Sequence, residues 1–219
     1  MADFFQHGLI ATIHDLGTIQ RERIERMLER FAVNCRVGLV LPVTAGDMRA
    51  DPFAKIMEEL VSVRYIQQIV VALGVAPTAD DYREAVGKVR VLGDRARLLW
   101  TDGPRVQGLY QQLNDAGLTV STPGKGRSVW TAFGYLLADP RLEVFALHDC
   151  DIVNYDREML ARLCLPIVHP SMDFEFCKAY YARVTDRMHG RVVRLLVSPL
   201  LRALISLLGS DRFLVCLDC

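Results

Sequence analysis

The chain has 219 residues, enough for one domain with a sizeable core or one large domain with an extension. Its 26 basic residues balance 26 acidic ones, which excludes an overall field that would recruit nucleic acid or an anionic membrane surface. A hydrophobic content of 51% points to a largely buried parallel sheet, to an apolar interface such as that of a homodimer, or to a chain lacking part of its covering structure.

Taken in chain order, Ile19 to Phe31 carries Ile24, Met27, Leu28 and Phe31 on one stripe among charges, which predicts an amphipathic helix with Thr18 as its cap. Residues 1–35 thus read as a helical N-terminal extension, and 36–219 as the main domain. Val37 to Leu41 reads as a short buried strand stopped by Pro42. Asp51 as cap and Pro52 at the first helical position open a helix from Phe53 to about Val63, Gln68 to Leu73 is a second strand ending at Gly74, and Thr78 opens a helix through roughly Leu92. Arg97 to Trp100 is a third strand, and Asp102 to Asn114 is helical up to Gly117. Gly126 to Ala138 is helical again, and Glu143 to Leu147 is a fourth strand. Asp156 to about Val168 is a helix that Pro166 should end early. Phe174 to Tyr181 then reads as strand, Met188 to Leu208 as a long helix bent near Pro199, and Phe213 to Leu217 as a last strand. Strands alternating with helices imply βαβ units, hence an α/β fold with a mostly parallel, doubly wound sheet. No helix follows the last strand, so the reading expects a domain truncated at its C-terminus.

Cys35, Cys150, Cys164, Cys177, Cys216 and Cys219 are scattered, mostly within apolar runs, the usage of reduced thiols in a cytoplasmic protein. Cys216 and Cys219 form a single pair, without the second pair or the histidines of a zinc site. The N-terminus has neither the basic region nor the apolar core of a signal peptide. The longest apolar stretch, Leu195 to Leu208, is interrupted by Ser198, Pro199 and Arg202 and makes no membrane span.

The chemistry gathers around Asp149-Cys150-Asp151, which follows the fourth strand. Residues i and i+2 of an extended segment share a face, so two carboxylates project together while Cys150 points away. Two hard oxygen ligands on an incomplete site suit Mg²⁺ or Mn²⁺ completed by water and phosphate. The same spacing also fits a solvated surface turn. One helix earlier, Pro123-Gly124-Lys125-Gly126 offers backbone N–H groups, a positive helix end and an ammonium to a diphosphate. A dinucleotide fingerprint is missing after the first strand, where Leu41-Pro-Val-Thr-Ala-Gly46 stands, and the glycine that a P-loop needs five residues before Gly124 is Thr119. His148 either touches a diphosphate or packs at the strand end, and Trp130 shares core spacing with Phe133, Leu136 and Leu137.

Gly124-Lys-Gly-Arg-Ser-Val-Trp130, Asp149-Cys-Asp-Ile152, Lys178-Ala-Tyr-Tyr-Ala-Arg183, Gly190-Arg-Val-Val193 and Ser198-Pro-Leu-Leu201 stand in the order found in a known family. The chain resembles the retaining GT-A-type glycosyltransferases that make glucosyl-3-phosphoglycerate and mannosyl-3-phosphoglycerate, over residues 36 to 219. The resemblance implies a metal-dependent hexosyltransferase with a GT-A, Rossmann-like fold, acting in glucosylglycerate biosynthesis. It implies that Asp149 and Asp151 bind Mg²⁺ or Mn²⁺, that Lys125 and Cys150 contact the donor, and that Pro42, Val43 and Thr44 line the nucleotide pocket. Arg191, with Val193 beside it, would hold the acceptor; a guanidinium is suited to bidentate capture of the phosphate or carboxylate of 3-phosphoglycerate. UDP-glucose is the favoured donor and GDP-mannose the second.

The chain departs from the family pattern at Thr44-Ala-Gly-Asp47 and at Leu73-Gly-Val-Ala-Pro77, where acidic residues are usual, and at Val193, where a threonine is. Two other readings stand beside this one. One is a GT-A transferase with another acceptor, or a nucleotidyltransferase, which would release pyrophosphate instead of a nucleoside diphosphate. The other is a non-catalytic fragment.

Overall fold

The computed structural model describes residues 10–13, 21–120, 122–179, 196 and 198–208. The chain divides into two compact units, Arg21–Ala161 and Met1–Gln20 with Arg162–Cys219. In the second of these, strand β1 (Ile10–Ile13) pairs in parallel with β6 (Phe176–Ala179). The stretch expected to be a helical extension therefore holds a strand besides helix α1 (Arg21–Phe31). Helix α8 (Ser198–Leu208) covers the C-terminal part of the predicted long helix. Thr18, Arg183, Arg191, Val193 and the predicted strand at Phe213 lie outside the described residues.

The unit Arg21–Ala161 is an open sheet of four parallel strands. They are β2 (Arg36–Thr44), β3 (Ile66–Gly74), β4 (Ala96–Trp100) and β5 (Leu142–Leu147), in the spatial order β4-β3-β2-β5. The chain walks outward from β2 to β4 and then returns to place β5 on the other side of β2. The order reverses between β2 and β5, and open α/β sheets bind ligands at such a reversal, outside the carboxyl ends of the strands. The expected α/β, mostly parallel class is what the chain adopts, with helices packed around the sheet.

Burial explains why these segments are strands. Val40, Val70 and Ala72 meet Ala132, Leu136 and Leu142 in one cluster, with Leu99, Phe133 and Phe145 packed against it. Leu39, Leu41, Ile69, Val71 and Leu73 alternate with them and are fully buried, so both faces of β2 and β3 are covered. The helices between the strands are α2 (Ala45–Met48), α3 (Asp51–Val61), α4 (Ala79–Val89), α5 (Pro104–Asp115) and α6 (Lys125–Leu137), with a 3₁₀ segment at Arg90–Arg95. Thr78 caps α4 in a reciprocal box with Asp81, as predicted from its position.

Three local expectations are corrected. Pro42 does not stop β2; it lies inside the strand, paired with Ala72. Pairing with β5 has already ended at Val40, so Pro42 sits where one edge of the strand is open, the kind of position at which a sheet accommodates proline. Pro166 does not shorten α7 (Arg157–Val168) either; the helix continues two residues past it. Asp51 is the first helical residue of α3, and Ala50 is its cap.

Candidate active site

A pocket of about 330 Å³ opens at the carboxyl ends of the strands. β2 contributes Pro42, Val43 and Thr44, β3 contributes Ala72 and Gly74, and the segment after β5 contributes Asp149, Cys150 and Asp151. The start of α6 supplies Gly124 and Lys125 from the opposite wall. Every donor-side and metal-side residue expected from the sequence, Pro42, Val43, Thr44, Lys125, Asp149, Cys150 and Asp151, thus lines one cavity.

The wall of α6 is shaped by Gly124. Its φ of 151° and ψ of 173° lie in a region essentially closed to residues with a Cβ, and this turn lets the helix begin at Lys125. No side chain caps the helix, and residues of its first turn line the pocket at the positive end of the helix dipole. Behind it, the Ser128 hydroxyl donates to the Gly124 carbonyl at 3.3 Å and lies 3.4 Å from the Thr101 hydroxyl, which donates to the Leu73 carbonyl at 2.8 Å. These buried groups tie the loop before α6 to the end of β3. A Cβ on Gly74 would come within 3.2 Å of the Ser128 oxygen and 3.3 Å of the Thr101 oxygen, so glycine permits that approach.

Asp149 and Asp151 lie just beyond the last paired residue of β5, and the alternation persists there. Cys150 is buried at 3% exposure while both carboxylates reach the pocket. Burial, more than the neighbouring Asp149 charge, pushes the Cys150 thiol far above its ordinary pKa, so its contribution is a neutral wall. Lys125 donates a short hydrogen bond from Nζ to Asp149 Oδ1 across the pocket. Asp47 adds a third carboxylate to the lining, held by the Thr44 hydroxyl at 2.7 Å.

His148 resolves as a packed group. Its ring lies 4.9 Å from that of Tyr155, and Nδ1 donates to the Asp149 carbonyl at 2.9 Å. Burial holds its pKa below the ordinary value, leaving it neutral at the strand end. Trp130, expected in the core, is 53% exposed. The inward face of α6 is Ser128, Ala132 and Leu136, at i, i+4 and i+8, and Trp130 stands about 160° from its centre.

Thr101, Asp102, Ser128 and Val75 line the pocket without having been marked in the sequence. Thr101 and Asp102 directly follow β4, so their position at a strand's carboxyl end was the available signal. Val75 has φ of 50°, a strained conformation for a β-branched residue. It is held because Asp102 accepts from the Ala76 N–H at 2.9 Å and the Trp100 indole donates to the Ala76 carbonyl at 2.7 Å.

No family model matches the chain. It is 46% identical over 218 residues to a protein of Persephonella marina named glucosyl-3-phosphoglycerate synthase, covering all of this chain and 54% of that protein. It is also 35% identical over 213 residues to a protein of the same name from Methanococcoides burtonii, covering 95% of this chain and 52% of that one. The chain is thus similar along nearly its whole length to proteins that carry the name glucosyl-3-phosphoglycerate synthase. It spans about half the length of the curated relatives it matches. Among the described residues no helix is long and apolar enough to cross a membrane.

Proposed function

We propose that the chain carries the nucleotide-sugar-binding part of a glucosyl-3-phosphoglycerate synthase, transferring glucose from UDP-glucose to 3-phosphoglycerate. What supports this most is the convergence of three anion- and cation-directed features in one pocket at the sheet's reversal point. These are the uncapped start of α6, the Lys125 ammonium, and the paired carboxylates Asp149 and Asp151.

The donor set fits a hard divalent cation. Asp149 and Asp151 offer exposed carboxylate oxygens and no sulfur, since the Cys150 thiol is buried and neutral. Among the described residues no group of three or more His, Cys, Asp or Glu is placed to hold a metal, so a cation on Asp149 and Asp151 would need its remaining ligands from water and diphosphate. Mg²⁺ or Mn²⁺ held there would neutralise charge on the leaving diphosphate.

The chain's own groups do the rest. Backbone N–H groups of the first turn of α6 and the Lys125 ammonium receive the diphosphate oxygens. Pro42, Val43 and Thr44 form the wall along which the nucleoside lies, and the neutral Cys150 closes the floor. Arg191, which lies outside the described residues, is the guanidinium that would capture the phosphate or carboxylate of the acceptor.

Incubation with UDP-glucose, 3-phosphoglycerate and Mg²⁺ should yield UDP and a phosphorylated glucosylglycerate. No UDP here, with pyrophosphate released in a parallel incubation with UTP and glucose 1-phosphate, would overturn the reading in favour of nucleotidyl transfer.

A further inference from the structure

Resting on that reading, we propose that Lys125 is a positioning residue that occupies Asp149 in the ligand-free site and hands it over when a diphosphate arrives. The Lys125 ammonium binds the very carboxylate assigned to the divalent cation. Both side chains are about half exposed, at 57% and 46%, so neither is locked by packing. Asp151, across the buried Cys150, makes no ion pair among the described residues. One of the two carboxylates therefore already carries a positive partner.

A bare cation entering this site must displace an ammonium from Asp149 and then sit beside a like charge. A diphosphate at the start of α6 changes the balance, because it offers that ammonium more than one negative charge. Lysine suits the exchange: it is a compact charge on a flexible four-carbon stem, with three donors that need no fixed plane. Once Lys125 turns to the diphosphate, Asp149 is free beside Asp151. Nucleotide and cation thus favour each other's binding, by the same factor in either order. An exposed ion pair is worth up to a factor of about five, which sets the size of the penalty on the cation alone.

The test is titration with Mn²⁺, followed by the paramagnetic signal of the free ion, with and without UDP. It uses wild type, Lys125→Gln and Arg127→Gln. Arg127 lines the same pocket but stacks on Tyr110, 4.4 Å from the ring centroid, so it controls for simple removal of a nearby positive charge.

Lys125→Gln should bind Mn²⁺ alone about fivefold more tightly than wild type, and UDP about tenfold more weakly. Arg127→Gln should leave Mn²⁺ affinity within about a factor of two, as its charge is not on Asp149. Equal tightening in both variants, or none in Lys125→Gln, would overturn the proposal while leaving the site intact. Wild type taking up no Mn²⁺ even with UDP would overturn the site reading and this proposal together.

Discussion

The two ends of the parallel sheet carry similar numbers of charged side chains and use them in opposite ways. At the amino end a recess of about 420 Å³ is lined by Arg95, Arg97, Asp139 and Arg141. Arg95 donates to the carbonyls of Leu60, Val61 and Val63 at the end of α3. Arg141 forks onto Asp139 at 2.8 and 2.7 Å, and Arg97 donates to the carbonyls of Asp94 and Ala96. These groups are committed to holding the fold. At the carboxyl end the pocket is smaller, yet the first turn of α6 has no capping side chain and Asp151 has no ion-pair partner among the described residues. Groups left for a ligand, and not the volume of a recess, distinguish the end of the sheet where the chemistry is proposed.

Breaking the contrast at the carboxyl end should cost function and spare stability. Asp151→Ala should lower UDP release in the transfer assay at least about a hundredfold. Its urea midpoint should stay near wild type, because the carboxylate is exposed and supports nothing in the fold.

The reverse holds at the amino end. Arg95→Met removes charge-assisted hydrogen bonds to the end of α3 and should lower stability by about 2–3 kcal/mol in urea unfolding. Nucleotide affinity measured by calorimetry should not change.

Gly124→Ala sharpens the comparison, since it touches the backbone of the binding end alone. With φ at 151° and nothing within 4 Å of an added Cβ, the cost is conformational, about 1–2 kcal/mol. The loss should appear as weaker UDP binding if the loop shifts, or as a lower thermal midpoint if it does not.

The smallest effect belongs to Asp139, whose carboxyl is lowered to about 2 by the Arg141 guanidinium first and by the Arg141 backbone N–H second. A carboxyl depressed in the folded state stabilises the protein above the unfolded pKa near 3.9 and loses that contribution as pH falls toward 2. Wild type should therefore exceed Arg141→Gln in urea midpoint at pH 7, and the difference should close between about pH 4 and pH 2.

Much of this was legible in the residues. Short, β-branched apolar runs such as Ile69 to Leu73 read as strands buried on both faces, and helices between them favour a parallel order. That Asp149, Asp151 and Lys125 would share one pocket was legible because they stand just past a strand and at a helix start, the positions that meet at the carboxyl end of such a sheet. What stayed hidden depends on neighbours distant in sequence. Pro42 is tolerated in β2 only because β5 stops pairing at Val40, a fact about another strand's length. Trp130 faces outward because the packing face of α6 is set by Ser128, Ala132 and Leu136, and apolar spacing alone did not choose between the two faces. The tie between Ser128 and Thr101 joins residues 27 positions apart, and the strain at Val75 follows from Asp102 and Trp100 gripping Ala76.

The central claim is that the pocket at the carboxyl end holds a nucleotide-sugar through a divalent cation. Calorimetric titration of UDP-glucose with Mg²⁺ present, and again with EDTA, tests it most directly, with GDP-mannose as the comparison donor. The account predicts saturable binding of UDP-glucose that disappears with EDTA and is weaker for GDP-mannose. Binding that is indifferent to EDTA, or absent under both conditions, would contradict it.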